Sequence, residues 1–123
     1  MEFVAKRLGK ALLTGTTVGT SDIVYANPTA KDSCISSVLV YNDHSAAVLV
    51  TLSIVDDNSG ATKAATAADV FFCQSIESKD SVLLSGGDLR IWLNDTNDSF
   101  QACAAIGSVV NVFAYGIVLD DQE

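Results

Sequence analysis

The chain has 123 residues, of which 49% are hydrophobic, and its formal net charge at pH 7 is −8. This length fits one domain, and the apolar fraction is typical of a globular protein. No apolar run reaches the roughly 18 residues of a membrane-spanning helix, and so acidic a chain is repelled by phosphates, so we predict neither a membrane nor a nucleic acid as a partner.

The N-terminal segment is basic in an otherwise acidic chain. Lys6, Arg7 and Lys10 interrupt its apolar residues, so no signal-peptide core forms, and we expect synthesis in a cytoplasm. Residues 1–13 are predicted to form an extended N-terminal arm ahead of one domain over residues 14–123. We predict that the arm docks on an acidic partner surface, and a frayed, solvated terminus is the alternative. The predicted docking residues are Phe3, Lys6, Arg7 and Lys10.

Short apolar segments separated by turn residues follow the arm, and each predicts a β-strand. Because no helical segment alternates with them, about eight strands predict an all-β fold, a single antiparallel β-sandwich of the jelly-roll type. An immunoglobulin-like sandwich is the alternative, but Trp92 lies too late in the chain for its cysteine and tryptophan pattern. The predicted strands are residues 23–26, 33–41, 48–55, 70–76, 81–84, 89–94, 100–106 and 108–119.

The polar residues 42–45 have strong turn chemistry. They separate two segments with apolar residues at alternating positions, 33–41 and 48–55. The sequence therefore predicts that these two strands pair as an antiparallel hairpin.

The last predicted strand, residues 108–119, is apolar on both of its faces. Side chains alternate between faces along a strand, so Phe113 and Tyr115 share one face while Val110 and Val112 share the other. A strand of this kind must be covered twice, by another sheet, a loop or another subunit. We predict that one cover is a second copy of the chain, and a central strand covered within its own subunit is the alternative. The predicted subunit-interface residues are Val110, Val112, Val118, Tyr41 and Trp92.

No pattern for catalysis or metal binding is found. His44 is the single histidine and lies in a predicted turn, and the motifs for phosphate, zinc or nucleophile-elbow chemistry are missing. We therefore predict no enzymatic activity, no catalytic residue, no metal and no cofactor. Calcium between the loops of Asp56 and Asp95 is an open alternative, which the abundance of acidic turns in proteins disfavours. The three cysteines are predicted to be buried free thiols.

The order of elements resembles that of small virion structural proteins of tailed bacteriophages with a β-sandwich fold. The segments that carry the resemblance are FVAKRL (3–8), IVY (23–25) ahead of Pro28, SVLVYN (37–42), VLVTLSIV (48–55), SGG (85–87) and VVNV (109–112). Residues 29–32 match the pattern only roughly, and no catalytic residue carries over.

The resemblance implies a capsid cement or decoration subunit on the capsid exterior. Its partners would be copies of itself, as a homotrimer, and the major capsid protein. A neck, tail or fibre component is one alternative. A carbohydrate-binding β-sandwich module is another, because Trp92 alternates with apolar residues and is expected to face outward.

Overall fold

The computed structural model describes residues 6–56, 63–85 and 89–120. Phe3, two glycines of the SGG segment (86 and 87) and residues 121–123 lie outside this part of the chain. The described residues form nine strands and no α-helix, so no helix among them is long and apolar enough to cross a membrane. The strands are β1 (Lys6–Leu12), β2 (Asp22–Ala26), β3 (Lys31–Asn42), β4 (Val48–Val55), β5 (Val70–Ile76), β6 (Ser81–Leu84), β7 (Ile91–Leu93), β8 (Ser99–Ala104) and β9 (Val110–Asp120).

The strands form two antiparallel sheets that pack face to face. Sheet A has the order β1-β9-β3-β6, with β7 also pairing with β3, and sheet B has the order β2-β8-β4-β5. Because β6 and β7 pair with successive parts of β3, they act as one interrupted strand. This is the two-sheet arrangement of a jelly roll. The predicted all-β sandwich is confirmed, and β2 to β9 each overlap a predicted strand.

The core lies between the sheets and is almost entirely apolar. Alternate residues of each strand point into it, as the pleat requires. Phe100, Leu13 and Leu52 are among its largest side chains, and each has no exposed surface. Leu13, which the sequence placed in an arm, is thus part of the core.

Residues 6–12 are extended, as predicted, but they form strand β1 of sheet A rather than an arm outside the sandwich. Their register shifts at Leu8, and here β1 bends against β2 of the other sheet. A Cβ atom at Gly9 would lie 2.1 Å from the carbonyl oxygen of Val24, so only glycine permits this contact. We call the side of the sandwich formed by β1 and β2 the closed side.

The predicted hairpin is wrong, because β3 belongs to sheet A and β4 to sheet B. The chain crosses between the sheets after Asn42, whose side chain is fully buried. Its Nδ2 group donates hydrogen bonds to the carbonyls of Ala46, Ile76 and Glu77, at 3.0, 2.9 and 3.2 Å. These bonds join the crossing to the turn between β5 and β6, which also crosses between the sheets.

A second buried asparagine occupies the crossing between β2 and β3. Asn27 is 1% exposed, and its Nδ2 group donates to the carbonyls of Lys31 and Asp95. Its Oδ1 atom accepts a hydrogen bond of 2.6 Å from the Ser33 hydroxyl, which is itself 2.7 Å from the Tyr25 hydroxyl. Buried amides are stable only when bonded in this way. Each of the two crossings is therefore fixed by one asparagine.

Candidate docking face

Strand β9 lies in the middle of sheet A and is apolar on both faces, as the sequence indicates. Val110, Val112 and Ala114 point into the core and have no exposed surface. Val110 and Val112 therefore cannot contact another subunit while the sandwich is folded, and their assignment to an interface was wrong. Val118 is half-buried towards the end of the strand. The alternation predicts two apolar faces but does not say which of them lies inside.

The other face of β9 is on the outer side of sheet A. Phe113 pairs with Leu39 on β3, and Leu39 pairs with Leu83 on β6, so one apolar row crosses three strands. A second row joins Ile117, Cys34 and Trp92. Side chains paired in this way lie about 5 Å apart at their Cβ atoms and form a continuous surface. We call it the docking face, and its apolar members are Leu12, Leu39, Tyr41, Leu83, Trp92, Phe113, Tyr115 and Ile117.

The docking face exposes large apolar side chains to solvent. Leu83 is 62% exposed, Leu12 50% and Trp92 45%. Single exposed leucines are ordinary, but a contiguous patch of leucines and aromatic rings on one sheet typically marks an interaction surface. The described residues leave this side of sheet A without a covering segment.

Sheet B differs, because part of its outer side is covered by the chain itself. Gln101 and Ser53 point outward from β8 and β4, yet they are 2% and 0% exposed. The Gln101 Nε2 group donates a hydrogen bond of 2.8 Å to the carbonyl of Lys63, and Ala65 is 3% exposed. Sheet A covers the inner side of sheet B, and residues 63–69 cover the part of its outer side around Gln101.

Basic residues lie at one margin of the docking face. Arg7 pairs with Tyr115 and Lys10 pairs with Phe113, and both basic side chains are exposed. Lys6 is also exposed at the start of β1. Phe3, the remaining predicted docking residue, lies outside the described residues. All three basic residues thus lie on strand β1, and Arg7 and Lys10 lie beside aromatic side chains, whereas Lys6 pairs with Gly116.

An ion pair lies at the opposite margin. The Lys79 Nζ atom is 2.8 Å from Asp43 Oδ1, and Tyr41 donates to the same oxygen at 3.4 Å. The hydrogen bond from Lys79 and its positive charge lower the pKa of Asp43, and the same contact raises the pKa of Lys79. The pair is exposed to solvent, so it contributes little to stability.

Tyr41 and Trp92 are the two predicted interface residues that lie on the docking face. Leu12, Leu39, Leu83 and Phe113 were not predicted as site residues. The signal for Phe113 was present in the alternation of residues 108–119. The position of Leu83 could not be read from its short strand, because four residues do not show which face is covered.

Carboxylates gather at one end of the sandwich, near the loops considered for calcium. Burial, together with the charges of Asp98, Asp69 and Asp95, raises the pKa of Asp56. Over residues 6–56, 63–85 and 89–120, no three histidine, cysteine, aspartate or glutamate residues are arranged to hold a metal ion. The carboxylates here repel one another.

All three cysteines are free thiols. Cys34 and Cys103 are buried, as predicted, and burial raises the pKa of Cys34 although the charge of Arg90 opposes this. Cys73 is exposed on β5, so the prediction that it is buried was wrong. Strand β5 is an edge strand of sheet B, and its outward side chains have fewer neighbours than those of β8.

No protein-family profile matches the chain, and no curated protein matches it. A solved structure similar to it is that of the N-terminal endo-1,4-beta-D-xylanase 10B of Clostridium thermocellum, comprising its CBM22-1 and GH10 modules in complex with xylohexaose. The TM-score is 0.40 with 10% sequence identity, over 89% of this chain and 21% of that one. A similarity this distant carries no argument about function.

Proposed function

We propose that this chain is a virion structural protein, a capsid cement or decoration subunit of a tailed bacteriophage, which attaches to the shell of major capsid protein through the docking face. The observation that supports the proposal is the uncovered apolar face of sheet A. The order of the sequence elements, which resembles that of phage virion proteins, supplies the identity of the particle.

Attachment through this face has a clear physical basis. Removal of apolar surface from water is favourable by roughly 25 cal/mol per Å², before the cost of association is subtracted. The aromatic rings of Trp92, Phe113 and Tyr115 sit on a rigid sheet and lose little conformational freedom on binding. Aromatic residues are enriched at the centres of protein interfaces for these reasons.

A matched pair of substitutions tests the proposal. Trp92 on the docking face is 45% exposed, and Leu49 on the outer side of sheet B is 47% exposed. Each is replaced by aspartate, and each variant is added to phage heads that lack the subunit. The bound fraction is then measured by co-sedimentation.

We expect W92D to lower the affinity for the heads by at least tenfold, because the new carboxylate loses its hydration in the contact. L49D should bind as the unaltered chain does. Thermal unfolding of both variants serves as the control for folding. Equal binding by W92D and L49D would refute attachment through the docking face, and no binding by the unaltered chain would refute the capsid role.

The same aromatic face also favours a second candidate, a carbohydrate-binding module. Trp92 and the half-buried rings of Tyr41 and Tyr115 lie on one face of sheet A, as a sugar-stacking platform requires. Trp92 is the chain's single tryptophan, so its fluorescence reports directly on a ligand at this face. A saturable change in emission on titration with xylan or another soluble polysaccharide would support this function, and a flat titration across a polysaccharide panel would reject it.

A further inference from the structure

We propose that copies of this chain associate head to tail, with the closed side of one copy packed against the opposite side of the next. We call that opposite side, formed by β5, β6 and the turn at residues 77–80, the open side. The contact joins two copies of the chain and shares only its edge residues Leu12 and Leu83 with the docking face, so it does not depend on the proposed function.

The two sides differ in shape. On the closed side β1 and β2 touch at Gly9, whereas β5 and β6 stand apart. A groove of about 340 Å³ lies on the open side, lined by Phe71, Phe72, Leu83, Leu84, Ser85 and Leu89. Within residues 6–56, 63–85 and 89–120, no charged residue lines this groove. The groove is therefore an apolar recess at the edge of the sandwich.

The closed side carries apolar side chains suited to such a recess. Leu12 on β1 and Ile23 on β2 are 50% and 47% exposed. Across the groove, Phe71 and Leu83 are 40% and 62% exposed. A head-to-tail contact would bring these exposed side chains of the two copies close to one junction and reduce the apolar surface left in water.

The strand directions fit the same contact. Each neighbouring pair in the order β1-β9-β3-β6 is antiparallel, so β1 and β6 at the two edges run in opposite directions. A second copy placed beside the first in the same orientation brings its β1 antiparallel to β6. In the register of the sheet, Leu12 is level with Ser81 and Lys10 with Leu83. Both edges carry backbone groups available for such pairing.

The charges of the two sides are complementary. On the closed side Lys6, Arg7 and Lys10 outnumber Asp22, which gives a net charge of +2. Asp22 accepts hydrogen bonds from the backbone N–H groups of Thr14 and Gly15, so its charge is partly compensated.

On the open side the charge of Lys79 is paired with Asp43, so Glu77 and Asp80 give a net charge of −2, and Asp80 accepts a hydrogen bond of 2.8 Å from the backbone N–H of Ser81. Both acidic residues are exposed. Because the chain as a whole carries −8, two copies repel each other in most orientations. The basic closed side meeting the acidic open side is the orientation that reduces this repulsion.

A head-to-tail contact uses different surfaces on the two copies, so it closes into a ring or continues as a filament. The mass of the chain in solution, measured by sedimentation at tens of micromolar, gives the first test. We expect a species larger than a dimer, either a discrete ring or a filament whose mass grows with concentration. A monomer at 100 micromolar, or an oligomer confined to a dimer, would overturn the proposal.

Two charge-reversed variants then test the pairing of sides. The closed-side variant carries Lys6→Glu and Lys10→Glu, and the open-side variant carries Glu77→Lys and Asp80→Lys. We expect each alone to be monomeric. An equimolar mixture should associate again, because the native open side of the first variant meets the native closed side of the second.

A matched control carries Asp56→Lys and Asp95→Lys, two exposed acids away from both sides. We expect it to keep the mass of the unaltered chain, and circular dichroism should show all variants folded. Persistence of the oligomer in either side variant, or failure of the mixture to associate, would overturn the head-to-tail contact. Neither result changes the outcome of the W92D experiment, which tests attachment of the chain to phage heads through the docking face.

Discussion

Arg7 on β1 and Tyr115 on β9 are register partners and lie side by side on the docking face. Arg7 thus joins the basic edge strand to the aromatic centre of the face. A charge at the margin of an interface contributes about 1 kcal/mol or less, mainly through long-range attraction. We expect R7E to weaken binding to phage heads about fivefold and to make binding less sensitive to salt.

The control for this prediction is Lys63→Glu, which makes the same change in net charge on the covered side of sheet B. K63E should bind heads as the unaltered chain does. Equal losses in both variants would mean that only the net charge matters, and the placement of Arg7 would then have no role.

Neighbouring residues of β9 should respond in opposite ways to substitution. Val112 is fully buried and Phe113 is half-buried on the docking face. We expect V112D to unfold the chain, since a buried unpaired carboxylate costs more than about 4 kcal/mol. F113S should leave it folded and weaken attachment to heads. Chemical denaturation monitored by circular dichroism measures the free energy of unfolding, and a folded V112D variant would contradict the assignment of faces.

The contact between the sheets at Gly9 should tolerate no larger residue. An added Cβ would lie 2.1 Å from the Val24 carbonyl oxygen, whereas at Gly19 nothing lies within 4 Å. We expect Gly9→Ala to lower the free energy of unfolding by about 2 kcal/mol, because β1 must move away from β2. Gly19→Ala should change it by less than about 0.5 kcal/mol. Equal effects would show that β1 and β2 are not in close contact.

The carboxylates at the end of the sandwich predict a pH effect with a defined sign. The folded state raises the pKa of Asp56 above its ordinary 3.8, so ionisation of this group disfavours folding. The penalty is absent below pH 3.8, develops as pH rises through the raised pKa, and persists at neutral pH. We expect Asp56→Asn to increase the free energy of unfolding at pH 7, by about 0.5 kcal/mol or less because the group is exposed, and to change little near pH 3.

For Asp43, the effect of ionisation on stability has the opposite sign. Its pKa is lowered by Lys79, so its contribution to stability is present above pH 3.8 and is lost as pH falls through the lowered pKa. Asp43→Asn should therefore slightly decrease stability at pH 7. The same sign for both variants in denaturation at pH 7 would contradict the assigned environments.

The strands could be predicted from the sequence because each is a short apolar segment bounded by turn residues. The strands with which β3 pairs could not be predicted from the sequence. Residues 43–47 have turn chemistry that suits both a hairpin and a crossing between sheets. The crossing is fixed instead by Asn42 and its bond to Ile76, 34 positions along the chain. Contacts of this range leave no local pattern.

The docking face could be predicted in part. Tyr41 and Trp92 were predicted to be interface residues and lie on the outer side of sheet A, but the core residues Val110 and Val112 were placed with them. Alternation along β9 gives two apolar faces of similar character, and the inner one is decided by sheet B, whose pairing the sequence does not reveal. The cover over Gln101 could not be predicted, because the alanine-rich sequence of residues 63–69 does not show which surface it packs against.

Hydroxyl-radical footprinting of the chain, free and bound to phage heads, is the most direct test of attachment through the docking face. Oxidation is measured by mass spectrometry at Trp92 and Tyr115 on the docking face, with Leu49 on sheet B as the internal control. We expect strong protection of Trp92 and Tyr115 on the particle and unchanged oxidation of Leu49. Unchanged oxidation of Trp92 and Tyr115, with protection of Leu49 instead, would contradict attachment through the docking face.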